Sequence, residues 1–230
     1  MNTDGHAPGR DGWLGPVRER IGDLCITCVE ATGTDGGGVS LRTVDGTREV
    51  VYATGRAAAS LENLQVLLGE GPCIDAALSP GPVLVDDLTD PGEGVAGRWP
   101  LFLAEARALP VRALYAFPIR VGPVPLGSFE LSRARPGPLQ QEQLRSALVT
   151  ADALGTALTD LGDMRADGAG PATRSARVHQ AAGMVMVQLG CSVEDAMARL
   201  RAAAYAEGGT LEDVASDVIA RRRRFAEERR

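Results

Sequence analysis

The sequence predicts an α+β fold, in which an antiparallel sheet with flanking helices is followed by a bundle of three short helices. Three observations predict it. Apolar residues recur at helical spacing near the start of the chain, short runs that alternate apolar and polar residues follow, and three further helical patterns come after a Gly-rich break. The chain has 230 residues, 44% of them hydrophobic and 23% charged, which is enough for two cores of ordinary composition.

The first third of the chain alternates between helical and extended patterns. Residues 1–13 are polar and Gly-rich and are expected to form a disordered leader. Apolar residues then recur every three or four positions as far as Thr32, which predicts an amphipathic helix. After the loop "GTDGGG", the runs "VSLRTV" and "EVVYAT" predict two strands joined at "DGT", an Asp-Gly hairpin signal. A helix is predicted over 57–68, and "GEGPC" interrupts it.

The next part of the chain supplies the remaining strands. "PVLVDDL" predicts a buried strand and "GRWPLFLAEARAL" a short helix, while "ALYAFPIRV" and "PLGSFELSRA" predict two antiparallel strands. Pro123 and Pro125 fix the turn between these two strands and are expected at a sheet edge. Helices therefore bracket five or six strands in a first domain that spans 14–161.

A long helix is predicted over 138–164. Its N-terminal part can pack on the sheet, whereas its far part has no obvious core to cover. Two interpretations stay open: an ordinary core helix, or a connecting helix that joins two copies of the chain as a homodimer.

Three short helical patterns follow the linker 165–171 and form a second domain over 172–225, with a tail at 226–230. Ser192 and Thr210 each stand three residues before an aspartate, which is a capping-box-like helix start, and glycines end the preceding helices. The residues expected in the core of this bundle are Val178, Ala181, Val185, Leu189, Val193, Ala196, Met197, Leu200, Ala204, Leu211, Val214, Ala215 and Val218.

Charge is unevenly distributed along the chain. The net charge is −6, and all 24 basic residues are arginine. From Pro171 onward ten arginines outnumber eight acidic residues, whereas the preceding residues include fourteen arginines and twenty-two acidic residues. A mildly basic second domain can contact phosphate groups, although it is far less basic than a typical self-sufficient nucleic-acid-binding domain.

Neither a signal peptide nor a membrane-spanning segment is expected from the sequence. It contains no run of 18 apolar residues and no signal peptide. Its four cysteines do not form a disulfide framework in a chain of this length. A cytoplasmic location without membrane association is therefore expected.

Residue types that carry chemistry are few. Cys25 and Cys28 form a CxxC, but both lie on the apolar face of a predicted helix, and a zinc site needs two more ligands. The histidines, His6 and His179, are isolated, so no metal and no cofactor is expected. Cys73 follows Gly-Pro at a helix start and is interpreted as a packed cysteine, with a sensing thiol or a sulfoxide-reductase nucleophile as alternatives. No enzymatic activity is expected, because the sequence shows no Ser-His-Asp arrangement, P-loop or dinucleotide fingerprint.

The second domain resembles the ANTAR domain, a three-helix RNA-binding module of bacterial antitermination regulators. The matching motifs are "QA.G" from Gln180 to Gly183, "EDAMARLR" and "TLEDVA". "GEGPCIDA" (69–76) resembles the loop–helix segment of GAF domains fused to ANTAR, and the order of strands and helices over 14–161 is similar to GAF. The resemblance implies a sensor domain controlling a dimeric module that binds paired RNA stem-loops and promotes transcription antitermination.

The resemblance and the charge distribution together indicate candidate RNA contacts. They are Arg174, Arg177, Gln180, Gly183, Arg199, Arg201, Arg221 and Arg222. Structural interpretations stay open for four of them. Arg201 can be a solvated helix residue, the run Arg221–Arg224 can stabilise the dipole at a helix C-terminus, and Gly183 can permit close approach of two helices.

Position 182 departs from the family pattern. ANTAR domains most often have a lysine where this chain has Ala182. On a helical wheel Ala182 lies ~40° from Val178 and ~60° from Val185, so it borders the apolar stripe. Replacement of the lysine by alanine removes one potential phosphate contact and is expected to weaken RNA binding without necessarily abolishing it. The alternative is that the bundle has lost RNA binding and serves as a dimerisation or protein-interaction module.

A ligand of the sensor domain would lie between the sheet and the "GEGPC" segment. Cys73, Trp99 and Phe102 are candidate residues for the wall of such a pocket, although Trp99 and Phe102 can equally be core. The sequence identifies no small-molecule ligand, and it has no clear anchor for bilin or haem.

Overall fold

The computed structural model describes residues 15–42, 48–165 and 174–225. The expected leader at 1–13, the Asp-Gly turn, nearly all of the expected linker and the tail at 226–230 lie outside the described residues. Among the described residues, no helix has both the length and the apolar character needed to cross a membrane.

In the described part of the chain, five antiparallel strands form one sheet. They are β1 (Gly36–Arg42), β2 (Arg48–Ala53), β3 (Val83–Val85), β4 (Ala113–Val121) and β5 (Val124–Arg133). Their order across the sheet is β2-β1-β5-β4-β3, so β5 is the central strand. This sheet with its flanking helices confirms the predicted α+β class.

The triglycine run at 36–38, which its composition places in a loop, begins β1 instead. A Cβ at Gly37 would lie 2.9 Å from Cys25 Sγ on one face of the sheet. A Cβ at Gly38 would lie 2.6 Å from Glu62 Oε1 on the other face. Helices approach both faces of this strand so closely that only a hydrogen atom fits, which local propensity does not capture.

Two details of the strands differ from the prediction. β3 is a three-residue edge strand that is only partly buried, so the prediction of a longer buried strand is wrong. Pro123 lies in the β4–β5 turn and Pro125 is the second residue of the central strand β5, so neither is on an edge strand. The pairing of β5 with β1 ends at Gly127, so the missing N–H of Pro125 leaves no gap in that ladder.

Helices cover both faces of the sheet. In the first domain they are α1 (Gly15–Thr32), α2 (Arg56–Leu68), α3 (Pro72–Leu78), α4 (Glu93–Ala96), α5 (Pro100–Ala106) and α6 (Gln141–Arg165). α1 and α6 cover one face, where Cys25 and Cys28 share an apolar core with Phe117 and Phe129 of the sheet. Burial raises the pKa of Cys25 to about 12, so the CxxC belongs to the core, as predicted.

The long helix α6 packs against the core of the first domain along much of its length. Ala151 and Leu154 are buried against α1 and the sheet. Leu148 and Val149 point away from this core and are 40% and 62% exposed. One side of α6 thus packs in the core, as predicted for an ordinary core helix, and another side presents apolar residues to solvent.

The second domain is a bundle of α7 (Arg174–Leu189), α8 (Val193–Glu207) and α9 (Leu211–Ile219). Both predicted helix starts are confirmed. Ser192 Oγ accepts a hydrogen bond from the Asp195 N–H, and Thr210 and Asp213 form a complete capping box. Gly190 and Gly208, at the ends of α7 and α8, have φ values of +61°.

The bundle core contains nearly all of the residues predicted for it. Val193 is an exception, since it is 46% exposed at the start of α8. Ala182 also differs from the prediction, because it is completely buried in the core and not at its border. A lysine at this position would therefore need a different packing of the bundle, so alanine here does not leave a gap in an exposed phosphate-binding surface.

Candidate functional site

An open groove of about 470 Å³ lies between α7 and the segment that follows α9. Its lining brings together three of the predicted RNA contacts, Gln180, Gly183 and Arg221. The other lining residues are Met184, Val187, Gln188, Arg223 and Arg224. Guanidinium and amide groups beside an apolar floor can contact phosphates and the faces and edges of unpaired bases.

Arg221 reverses the chain at the end of α9. Its φ is +58°, in the left-handed region that residues other than glycine rarely adopt. The Arg221 N–H donates to Val218 O at 3.0 Å. The Arg222 N–H donates to Asp217 O at 2.8 Å, which completes a Schellman helix end. The arginine run therefore begins directly after the cap residue Ala220, at the C-terminal end of α9.

A hydrogen bond holds the reversed segment against α7. The Phe225 N–H donates to Gln188 Oε1 at 2.8 Å. The Phe225 side chain is partly buried against the bundle core. The arginines between Arg221 and Phe225 are thereby fixed along one side of the groove.

Two of these arginines are engaged in ion pairs and two are not. Arg222 pairs with Asp217 at 2.7 Å, and Arg223 pairs with an acidic residue of α8. Arg221 and Arg224 are exposed and have no ion pair with another described residue. They can therefore contact a phosphate without first breaking a salt bridge.

Gly183 keeps the groove open. A Cβ at this position would have no heavy atom of another described element within 4 Å, so the interpretation that it permits close helix approach is wrong. Val187, one turn further along α7, is 86% exposed. With Met184 it forms an apolar floor onto which an unpaired base can stack.

The remaining predicted RNA contacts do not line the groove. Arg177 and Arg199 are exposed on α7 and α8, and Arg222 lies beside the groove. Arg174 begins α7, but its side chain lies outside the described residues. Arg201 is separated from all of these, because it faces the first domain.

Arg201 packs at the junction of the two domains. Its Nη1 lies 3.3 Å from the position that a Cβ on Gly69 would take, at the end of α2. Its Nε is buried and has no hydrogen-bond partner among the described residues. Burial lowers the pKa of this guanidinium. Arg201 is thus partly buried at the domain junction, which favours a packing role over that of a solvated residue or a phosphate contact.

Further contacts join the two domains. α8 packs against α2, and Leu67 of α2 adds to the apolar core of the bundle. The Tyr205 hydroxyl donates to Glu105 Oε1 at 2.8 Å. A crevice of about 220 Å³ at this junction is lined from both sides, with Arg48 on the first domain and Leu211 on the second.

A second candidate site is a buried polar cluster between the sheet and helices α2 and α3. Glu62 on α2, Cys73 on α3 and Glu130 on β5 form what we call the buried triad. Their exposed fractions are 1%, 1% and 2%. Two carboxylic acids and a thiol without access to water are energetically expensive, so this cluster is unusual for a plain core.

Hydrogen bonds connect the triad. The Cys73 thiol donates to Glu130 Oε2 at 2.8 Å, and its sulfur lies 3.8 Å from Glu62 Oε1. Gln65 Nε2 donates to the same Glu130 oxygen at 2.6 Å. Gln65 Oε1 accepts from the Cys73 N–H at 2.8 Å, so this amide orients two members of the triad.

Arg48 connects the buried triad to the junction between the domains. Its Nη1 donates to Cys73 O at 2.7 Å and its Nη2 to Ser128 Oγ at 2.9 Å. The same residue lines the crevice beside Arg201. One guanidinium therefore separates the triad from the second domain.

Burial controls the protonation of the triad. It raises the pKa of Glu130 to about 7, against the hydrogen bonds from Cys73 and Gln65 that lower it. Burial and repulsion from Glu130 hold the pKa of Glu62 well above its ordinary value. Burial likewise raises the pKa of the Cys73 thiol well above its usual range. Such a thiol is a poor nucleophile, which favours the interpretation of Cys73 as a packed residue over that of a reductase nucleophile.

Trp99 and Phe102, the other candidate pocket residues, are completely buried. They pack edge to face with ring centroids 6.5 Å apart, in an apolar core that includes Leu61. The Trp99 indole N–H donates to Asp75 Oδ2 at 3.0 Å. Their packing favours the core interpretation, and it separates them from Cys73, which belongs to the triad.

Sequence reasoning missed Glu62, Gln65, Glu130 and Arg48. A signal for Glu130 exists in "SFELS", where β5 alternates apolar and polar residues. Alternation normally indicates one solvated face, but helices cover both faces of this sheet, so Ser128 and Glu130 are buried. When helices cover both faces of a sheet, polar side chains along one of these faces indicate an internal polar site.

Comparison with known proteins agrees with this two-domain organisation. Residues 20–158 match the family model of the GAF domain, and residues 172–219 match that of the ANTAR domain. None of the curated proteins is significantly similar to the chain.

Solved structures resemble the first domain. A domain of a two-component sensor histidine kinase protein from Sinorhizobium meliloti is 23% identical, with a TM-score of 0.53, and the match covers 65% of this chain and 96% of that one. The GAF domain region of a Geobacter sulfurreducens membrane protein is 17% identical, with a TM-score of 0.51, covering 64% and 95%. At these identities the similarity shows the fold alone.

Proposed function

Because the chain belongs to the GAF domain family and carries an ANTAR domain, we propose that its first domain senses a signal and controls the binding of structured RNA by its second domain. Transcription antitermination is the output of this control. The protein acts in the cytoplasm and without catalysis. The observation that carries the proposal is the groove between α7 and the segment after α9.

The groove has the chemistry that structured RNA requires. Arg221 and Arg224 offer exposed guanidinium groups for the phosphate backbone, and Gln180 offers an amide for a base edge. The apolar floor formed by Met184 and Val187 suits a base that is unstacked in a loop. This combination favours a stem-loop over a continuous duplex, whose bases are not available for stacking.

A homodimer is part of the proposal. α1 and α6 pack side by side on one face of the sheet, and both present apolar residues outward. Ile26 of α1 is 43% exposed, and Leu148 and Val149 of α6 are 40% and 62% exposed. Pairing this face with a second copy would remove these side chains from water and place two RNA-binding grooves in one particle.

RNA retention by the purified full-length protein tests the proposal. Fragmented RNA from the source cell is passed over the protein, the retained fragments are sequenced, and the affinity for the most enriched fragment is measured across salt concentrations. We expect stem-loops to be enriched and the affinity to fall steeply with salt. The Arg221→Ala/Arg224→Ala variant is expected to lower the salt slope by about 1 per arginine, while Arg107→Ala, an exposed arginine of the first domain, leaves it unchanged.

A second candidate function is a dimerisation or protein-interaction module that does not bind RNA. The observation that favours it is Val187, which is 86% exposed in the middle of an open apolar surface. Without phosphate contacts, a partner would bind with a shallow dependence on salt. A shallow slope that the arginine double variant does not change would select this function.

A further inference from the structure

The buried triad contains a carboxyl oxygen that could bind a further ligand. One oxygen of Glu62, Oε2, is buried and has no hydrogen-bond partner among the described residues. Its other oxygen faces the Cys73 sulfur at 3.8 Å. A buried carboxyl oxygen without a partner loses its hydration with no compensation, so a cation that replaces the carboxyl proton would satisfy it.

The geometry of the triad suits a small cation. One oxygen from each of Glu62 and Glu130 and the sulfur of Cys73 lie within 4.8 Å of one another. Ligands of a tetrahedral metal ion are about 3.5 Å apart, so small side-chain rotations would bring the three atoms to this spacing. The three residues come from α2, α3 and β5, which are fixed by the sheet and its cover.

The charges around the triad match a divalent ion. Because burial favours the protonated forms of all three groups, a metal ion that binds here displaces their protons to solvent. The resulting two carboxylates and one thiolate carry three negative charges, and Arg48, which bonds to Cys73 O, contributes one positive charge. A dication bound to this set makes the enclosed cluster neutral overall. Neutrality matters here because an unbalanced charge in a site without water is strongly unfavourable.

We propose that Glu62, Cys73 and Glu130 bind a divalent first-row transition-metal ion of the Zn²⁺ or Fe²⁺ type in the sensor domain. Arg48 balances the charge, and the Gln65 amide orients Cys73 and Glu130. The proposal concerns the first domain alone and stands whether or not the second domain binds RNA.

The donor set selects the class of metal. A thiolate binds Zn²⁺ and other transition metals strongly, whereas Mg²⁺ and Ca²⁺ prefer six or more oxygen ligands. Three protein ligands leave a fourth coordination position open to a small molecule. The spacing of cysteines and histidines in the sequence predicts no metal site. The fold brings two glutamates together beside Cys73, and their proximity cannot be read from that spacing.

Arg48 marks the route into the site. It lies between the triad and the crevice at the domain junction, and it is the partly exposed member of the cluster. An ion that enters from this crevice would have to displace the Arg48 side chain from Cys73 O and Ser128 Oγ. Binding would fix Cys73 immediately after the segment from Gly69 to Gly71, and Arg201 packs on the first residue of that segment.

Metal binding by the full-length protein tests the proposal. The purified protein is stripped with a chelator, dialysed and titrated with Co²⁺ and Zn²⁺. We expect one ion per chain by elemental analysis, a thiolate-to-cobalt charge-transfer absorption in the near ultraviolet, and a higher Tm with Zn²⁺. Cys73→Ser removes the charge-transfer absorption, and Glu62→Gln and Glu130→Gln weaken binding at least about tenfold.

Two controls make the outcome decisive. Cys191→Ser removes a partly exposed cysteine of the second domain and is expected to leave the absorption unchanged. The glutamine variants preserve side-chain volume, and circular dichroism confirms that each variant is folded. The proposal is overturned if the wild-type protein takes up no ion, or if the cobalt absorption persists in Cys73→Ser.

Discussion

Arg201 of α8 packs over Gly69 at the end of α2, with its Nη1 3.3 Å from the position that a Cβ on this glycine would take. The contact joins the RNA-binding module to the segment that leads from α2 into Cys73. A change in the buried triad therefore has a short physical route to the second domain, through three residues of backbone and one guanidinium.

Replacing Arg201 by alanine is expected to loosen the domain junction without weakening RNA binding. The substitution removes the packed guanidinium but leaves the groove untouched. Amide hydrogen exchange should accelerate over 56–71 and in α8, because these segments lose their mutual contact. Arg199→Ala, on the exposed side of the same helix, should leave the exchange of 56–71 unchanged. Unchanged exchange together with weaker RNA binding would identify Arg201 as an RNA contact.

Replacing Arg221 by glycine is expected to raise the stability of the protein while weakening its RNA binding. The left-handed φ of +58° strains an arginine and suits a glycine. The free energy of unfolding, measured with urea, should rise by about 1 kcal/mol. RNA affinity should fall, and its salt slope should decrease by about 1. Arg224→Gly is the matched control, since it should weaken RNA binding without any gain in stability.

Replacing Gly183 by alanine is expected to stabilise α7 while obstructing the groove. Apart from the backbone of α7 itself, no heavy atom of the described residues lies within 4 Å of the new methyl group, and alanine is the better helix former by about 1 kcal/mol. The Tm should rise, whereas RNA affinity should fall because the methyl group projects into the base-binding space. A variant that is more stable and binds RNA as tightly as the wild type would exclude this surface as the contact.

Stability of the metal-free protein is expected to decrease as the pH rises. The folded-state pKa of Glu130, about 7, exceeds the ordinary value of 4.5 because of burial. The favourable contribution of its protonated form is complete below about pH 4.5 and is lost as the pH rises through about 7. In chelator at about pH 8, Glu130→Gln should therefore be more stable than the wild type by about 3 kcal/mol.

The comparison pH and the control complete this experiment. At about pH 5, urea denaturation should show a much smaller difference between Glu130→Gln and the wild type. Glu142→Gln, on the exposed surface of α6, should change neither curve. Equal stabilities of the wild type and Glu130→Gln at both pH values would mean that Glu130 is not desolvated.

Much of the fold was predictable because it depends on local signals. Helical spacing, alternation and the Ser192 and Thr210 caps act within a few residues, and each is found where the pattern indicates. The triglycine run was not predictable in this way. Its conformation depends on two helices that approach from opposite faces, and their positions are set by residues far along the chain.

The candidate sites were predictable in part. Gln180, Gly183 and Arg221 were identified by resemblance and charge, but their meeting in one groove depends on the left-handed turn at Arg221. The buried triad was harder, because Glu62 and Glu130 are ordinary surface residues by type. Only the knowledge that both faces of the sheet are covered shows that they are enclosed.

RNA crosslinking and sequencing with the tagged protein in its own cell tests whether the groove binds RNA. The wild type is compared with Arg221→Ala/Arg224→Ala and with the control Arg107→Ala. We expect enrichment of paired stem-loops upstream of genes, lost in the double variant and retained in the control. No enrichment of the wild type above background, or equal enrichment in the double variant, would contradict RNA binding through this groove.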